Sequence, residues 1–384
     1  MQNITVIGIG KLGLGFALLL EKAGYNVMGV DISQPYVDAI NKKSPKFEEP
    51  QYNELLQNTK NFEATTNLQQ GLNHSELIFI IVQTPNGGGT KFYDHTILSN
   101  LLEKINTYRP ENKHFVIGCT VMPKYIDTIA TLIMKDCPSC SINYNPEFVA
   151  QGDIVRGFSK PDIILVGSHS QEIRPLMTDI YTRMTESPPI FCFMTPLEAE
   201  IVKISLNGFI TTKLSFANMI SDLCDELGAH KQTVLHAIGS DSRIGRKYFN
   251  PGLSFGGPCF PRDTKALRQL MEQNNIRAEL LEATTSYNNE HNRIYAEKVA
   301  NNPSPEILAQ LKCEQITPDT YILQNVCYKE DSTIPIIEES AKLKIAEQLV
   351  KTHKKQIIIK DTANIIAEVK KEYGTLFDYE VLLP

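Results

Sequence analysis

Cys259 stands in the stretch Phe255-Gly256-Gly257-Pro258-Cys259-Phe260-Pro261-Arg262-Asp263, where a glycine pair and two prolines frame one thiol and a carboxylate follows four residues later. Glycine lets backbone approach a ligand closely and proline stiffens the turn that presents the thiol. Such a loop suits a nucleophilic cysteine, while a small buried hydrophobe is the commoner use of the residue, and the nonapeptide alone does not choose. Upstream, Glu200, Lys203 and Asn207 recur at i, i+3 and i+7 and share one helical face. There Lys203 and Asn207 could stabilise an oxyanion, or Glu200 and Lys203 could be an exposed pair on a solvated face. Thr120 follows the apolar run Phe115-Val116-Ile117-Gly118, and Glu147 stands in Asn145-Pro146-Glu147-Phe148, just past another strand-like run. Capping remains open to Thr84 and Thr120, and a solvated loop position to Glu147.

These groups need elements to hold them, and the N-terminal half supplies a recognisable frame. Ile4-Thr5-Val6-Ile7 is an apolar run followed by Gly8-Ile9-Gly10-Lys11-Leu12-Gly13 and an apolar helical stretch through Leu20. Tyr25 to Val30 reads as a second strand ending on Asp31. This is G-x-G-x-x-G between strand and helix with an acid at the next strand end, the dinucleotide-binding fingerprint. Gly8 permits the tight turn, Gly10 the approach of a pyrophosphate and Gly13 close helix–strand packing, while Lys11 and Leu12 open the helix whose N-terminus faces the phosphates. Asp31 would accept ribose hydroxyls and repel a 2′-phosphate, which favours NAD over NADP. Further runs, Leu77–Val82, Phe115–Gly118 and Ile163–Gly167, lack polar alternation, as do strands of a parallel sheet covered on both faces. Their C-terminal ends carry Gln83-Thr84-Pro85 and Cys119-Thr120-Val121-Met122-Pro123, on the edge where such sheets bind ligands.

Thr195-Pro196-Leu197-Glu198 reads as a capping box, and helical periodicity then runs to about Leu227-Gly228. Asp241–Gly245 follows a second helix, residues from Gln273 to about Val299 read as a helix pair, and Asn301–Pro305 reads as a linker. The fold class is therefore α/β: an N-terminal Rossmann-type doubly wound parallel sheet over 1–195, a helical connector carrying the cysteine loop over 196–300, and a shortened C-terminal α/β domain over 318–384. The composition, 42% hydrophobic and 21% charged over 384 residues, is that of a globular protein with room for two or three domains. A net charge of −6 argues against a nucleic-acid surface or a basic membrane patch. With no signal peptide and no apolar run of about 18 residues, a cytoplasmic location is expected. Eight scattered cysteines form no disulfide framework, and Cys137-Pro138-Ser139-Cys140 supplies only half of a metal site, so no metal is expected.

Taken in order, the motifs resemble those of the nucleotide-sugar (UDP-glucose/GDP-mannose) dehydrogenases, most of all the branch acting on UDP-glucose. The resemblance runs from residue 1 to about 300. It is carried by Gly8-x-Gly10-x-x-Gly13, Gln83-Thr84-Pro85, Thr120-Val121-x-Pro123, Asn145-Pro146-Glu147-Phe148, Ala199-Glu200-x-x-Lys203-x-x-x-Asn207, Arg243-Ile244-Gly245 and Phe255-Gly256-Gly257-x-Cys259-Phe260-Pro261-x-Asp263. It implies a four-electron oxidation of a UDP-sugar C6 alcohol to the carboxylate, UDP-glucose to UDP-glucuronate, with two NAD used in turn. Cys259 would capture the aldehyde as a thiohemiacetal that becomes a thioester and is hydrolysed. Lys203 and Asn207 would stabilise the oxyanion, Thr120 and Asp263 would position a water, and Glu147 would be the base. NAD would rest on Gly8, Gly10, Lys11, Leu12, Gly13, Asp31, Thr84 and Thr120. The nucleotide sugar would meet Phe148, Lys203, Asn207, Asn250, Phe255, Gly256 and Lys329, and Arg243 across the interface of a homodimer built on the long helix after Pro196.

Three departures stand beside the resemblance. Gln151 occupies a position usually held by a second glutamate, Glu338 replaces the arginine of the family's Arg-Glu-Ser-Pro motif, and the third domain is short. They leave open another nucleotide sugar as substrate, or a homologue that binds nucleotide sugar with impaired turnover.

Overall fold

The computed structural model describes residues 2–89, 91–329 and 334–382. The backbone divides into two compact units, Met1–Lys203 and Ile204–Pro384.

The first unit is built on eight strands: β1 (Asn3–Ile7), β2 (Asn26–Val30), β3 (Phe62–Thr65), β4 (Leu77–Ile80), β5 (His114–Ile117), β6 (Ser141–Tyr144), β7 (Ile163–Gly167) and β8 (Ile190–Met194). They form one sheet in the order β3-β2-β1-β4-β5-β6-β7-β8. Successive residues of the central strands enter opposite cores. Leu77, Phe79 and Val116 pack with Leu14, Phe16 and Met177, whereas Ile78, Ile80, Phe115 and Ile117 pack with Leu98, Leu102 and Ile105. Each fully buried Leu or Phe of these layers contributes about 1.5–3 kcal/mol, and this double coverage is what removed polar alternation from the strands.

One pairing differs from the all-parallel expectation: β6 and β7 meet antiparallel at Tyr144 and Gly167. The only helix between them, Ile154–Ser159, has six residues. At about 1.5 Å per residue it is too short to carry the chain back along a strand. The 12-residue helix Ile173–Met184 between β7 and β8 is long enough, and that pair is parallel.

Thr195 and Glu198 close the expected capping box, with the Thr195 N–H and Oγ1–H both donating to Glu198 Oε2 at 2.8 Å. The helix they open runs Pro196–Leu227 and stops at Gly228, whose φ of +69° suits glycine. In place of a helix pair over 273–299, one helix ends at Gln273 and a single 23-residue helix runs Glu279–Asn301.

The second unit ends in a smaller sheet of order β12-β11-β10-β9, comprising β9 (Cys313–Thr317), β10 (Thr320–Leu323), β11 (Gln356–Asp361) and β12 (Asp378–Val381). The helices Ala341–Lys351 and Ala363–Tyr373 carry the parallel crossovers. Its core of Leu323, Leu343, Leu349, Ile357 and Ile359 is continuous with Tyr295, Ala296 and Val299 of Glu279–Asn301. Among the described residues no helix is long and apolar enough to cross a membrane.

Candidate active site

Strand order reverses between β1 and β4, and the fingerprint lies at that switch point. Gly8 has φ +87°, and a Cβ there would stand 2.5 Å from the Ile81 carbonyl oxygen. A Cβ on Gly13 would stand 1.9 Å from the Gly8 carbonyl oxygen, so these two glycines are dictated by the fold. Gly10 is different: it is the exposed N-cap of the helix Lys11–Lys22, and a Cβ on it would meet nothing within 4 Å. Space above Gly10 together with the N-terminal N–H groups of an uncapped helix fits a pyrophosphate. Asp31 follows β2 and is half-buried, its Oδ1 accepting the Ser33 N–H at 3.2 Å. Tyr36 braces the same loop by donating its hydroxyl hydrogen to the Ile9 carbonyl at 2.9 Å.

Thr120 and Glu147 each lie three residues past a strand, β5 ending at Ile117 and β6 at Tyr144. The loop after Thr120 is held at three points. Met122 donates its N–H to His95 Nε2 at 3.2 Å. Lys124 and Ile126 donate theirs to the two oxygens of Glu200 at 2.7 and 2.8 Å. His95 can accept because burial pushes its pKa down to about 4 and keeps the ring neutral. Glu200 is fully buried, and burial pushes its pKa up to about 7 against the pull of its two backbone partners. An exposed Glu–Lys pair was the alternative on this helix face; the structure instead buries both Glu200 and Lys203. The Lys203 ammonium donates to the Glu147 carbonyl oxygen and lies 4.6 Å from the centre of the Phe148 ring. The Glu147 carboxylate turns back onto its own loop and accepts the Val149 N–H at 2.8 Å.

In the second unit, Cys259 is the exposed N-cap residue of the helix Phe260–Gln273. Asp263 donates its N–H to the Cys259 carbonyl at 2.8 Å, the first turn of that helix. Its side chain is buried and accepts the Asn207 amide N–H at 2.6 Å, so these two predicted residues do meet. The glycine pair has a different cause from the one expected. A Cβ on Gly256 would stand 2.1 Å from the Glu339 carbonyl oxygen, and one on Gly257 2.3 Å from the Tyr328 ring. The crowding there comes from the chain itself. Phe255 is buried, and Asn250 and Lys329 are exposed. The Arg243 guanidinium pairs with Asp241 of its own loop at 2.7 Å and is otherwise exposed.

Two family models match the chain. That of the UDP-glucose/GDP-mannose dehydrogenase family, NAD binding domain, covers residues 2–185, and that of the same family's central domain covers 197–290. A UDP-glucose 6-dehydrogenase of Bacillus subtilis is 31% identical over 312 residues, covering 78% of this chain and 69% of the relative. The chain belongs to the UDP-glucose/GDP-mannose dehydrogenase family. A second family member, the UDP-glucose 6-dehydrogenase of Rickettsia bellii, is 29% identical over 303 residues, 78% of this chain and 69% of its own. The fold of this dehydrogenase is similar to that of a solved UDP-glucose dehydrogenase from Pyrobaculum islandicum, with a TM-score of 0.81 and 24% identity over 99% of this chain and 86% of that one. Its N-terminal unit is thus a family NAD binding domain, and NAD is its cofactor.

Sequence reasoning missed His95, which no motif contains. It named Glu200 for its helix face and within a motif, but the pairing with residues 124 and 126, more than 70 positions away, left no local signal.

Proposed function

We propose that this dehydrogenase oxidises the C6 alcohol of UDP-glucose to the carboxylate through Cys259. The observation that carries the reading is the exposed thiol of Cys259 at a helix N-terminus, one turn from the buried Asp263 that Asn207 holds. Helix N-termini favour the thiolate over the thiol. NAD would be held by Gly8–Gly13, Asp31, Thr84 and Thr120, and would supply a two-electron acceptor at each oxidation level. The C6 alcohol gives up a hydride and a proton to become the aldehyde, and the Cys259 sulfur adds to that carbon as the carbonyl oxygen takes up a proton, giving a thiohemiacetal. Loss of a second hydride from the same carbon leaves a thioester, and water then displaces the thiolate to give the acid. Lys203 and Asn207 donate to the oxygen that becomes negative, Asp263 and Thr120 hold the attacking water, and Glu147 accepts its proton.

The same reading makes the protein a homodimer on the long helix. Phe209, Phe216, Leu223 and Leu227 recur at intervals of seven, seven and four residues, and Phe209 and Leu227 are 70% and 72% exposed. A stripe of that period is a helix-pairing seam. Purified protein given NAD and a panel of UDP- and GDP-sugars should yield two NADH per molecule of UDP-glucose. Turnover of an N-acetyl or mannose derivative alone would reassign the sugar. Tight UDP-sugar binding with no NADH from any donor would mark a binding homologue, consistent with Gln151 and Glu338.

A further inference from the structure

The helix Glu279–Asn301 turns three buried polar side chains onto residues 252–255, the backbone that leads into Cys259. Asn288 accepts the Phe255 N–H at 2.8 Å and donates to the Phe255 carbonyl at 2.9 Å, pairing with it as a neighbouring strand would. Asn292 accepts the Ser254 hydroxyl hydrogen at 2.6 Å. His291 places Nε2 2.9 Å from the Gly252 carbonyl and Nδ1 2.6 Å from Asp222 Oδ2. From the long helix, Asn218 accepts the Gly252 N–H and donates to the Leu253 carbonyl, both at 3.1 Å. Each residue from 252 to 255 is therefore gripped by a side chain. Buried amides and imidazoles cost free energy unless every bond is made, and this stretch makes them.

Neither atom facing the His291 ring has a proton to give. Gly252 offers a carbonyl, and Asp222 a carboxylate that also accepts from Tyr287 at 2.7 Å and Lys298 at 3.2 Å. Asp222 meets the ring from the long helix, and Lys298 of the His291 helix pairs with Asp222 and Asp225, while Tyr287 and Tyr295 of that helix lie beside the ring. Lys231 of the helix Lys231–Ser240 pairs with Asp225 and with Glu306.

We propose that Asn288, His291 and Asn292 are positioning residues for Cys259, with the His291 ring bridging Asp222 and the Gly252 carbonyl. The importance of Cys259 rests on the function proposed above; the geometry of its loop does not. The test compares wild type with Asn288→Asp and His291→Gln in three measurements: amide exchange of residues 250–258, the rate of Cys259 carboxymethylation followed by peptide mass, and kcat against KM for NAD. The aspartate keeps the acceptor for Phe255 N–H but sets an oxygen against the Phe255 carbonyl. Expected are exchange at Gly252 and Phe255 faster by about tenfold, a carboxymethylation rate changed at least threefold, and kcat lower by tenfold or more with KM for NAD within twofold, since small misplacements cost about that much. A lower melting temperature with unchanged loop exchange and unchanged Cys259 reactivity would reduce the trio to structural residues. If His291→Gln does not fold, Asn288→Asp and Asn292→Asp carry the same test. A protein without turnover whose Cys259 still responds would defeat the dehydrogenase reading and leave this one intact.

Discussion

Cys259 is exposed, whereas the other seven cysteines are buried or half-buried. Iodoacetamide should therefore label Cys259 first, and Cys259→Ser should keep the melting temperature within about 2 °C, as surface changes usually do, while abolishing NADH formation. Asn207 makes a different prediction because its partner is buried. Asn207→Ala leaves Asp263 without its amide donor, and denaturant unfolding should show a loss of about 1–3 kcal/mol. The fingerprint glycines divide in the same way. Gly13→Ala forces backbone apart and should unfold the first unit, whereas Gly10→Ala meets no protein atom within 4 Å and should keep the fold while weakening NAD binding, measured by calorimetry.

Among the elements, the loop after Thr120 depends on a carboxylate that the interior holds with a raised pKa. Folded Glu200 titrates near 7 against an ordinary value of 4.5, so between those pH values the folded state keeps a proton that the unfolded chain releases. Stability should fall as pH rises through that window, by an amount on the order of 3 kcal/mol. Glu200→Gln should flatten the difference, which thermal melts at pH 5 and 8 would read out. Equal pH dependence in the two proteins would show that Glu200 is not the group responsible. The long helix, its capping box and the βαβ start were legible because their signals lie within a few residues of one another. The antiparallel turn into β7 was not, since it depends on how short the preceding helix is in space. The grip of Asn288, His291 and Asn292 was equally hidden, because each partner lies over 30 residues away. The resemblance named both Asn207 and Asp263, but it could not distinguish a glycine kept for a ligand from one kept for the Glu339 carbonyl.

At the scale of the whole molecule, the apolar seam on Pro196–Leu227 predicts association. Leu223→Glu should shift the protein to monomer in light scattering, and a wild type that is monomeric at micromolar concentration would remove the proposed dimer. The family relatives match 78% of this chain, and the stretch after about residue 300 was the least readable part. Its strands are short and its pattern loose, yet it forms a closed core with the end of Glu279–Asn301. The contacts at Gly256 and Gly257 also bear on the order of synthesis. When the ribosome has released the helix Phe260–Gln273, the cysteine and its carboxylate have both emerged, but Tyr328 and Glu339, against which the glycine pair rests, have not. The turn that presents the thiol thus acquires its wall only late in translation. A nascent chain arrested before residue 328 should leave Cys259 open to alkylation at a rate different from that of the finished protein.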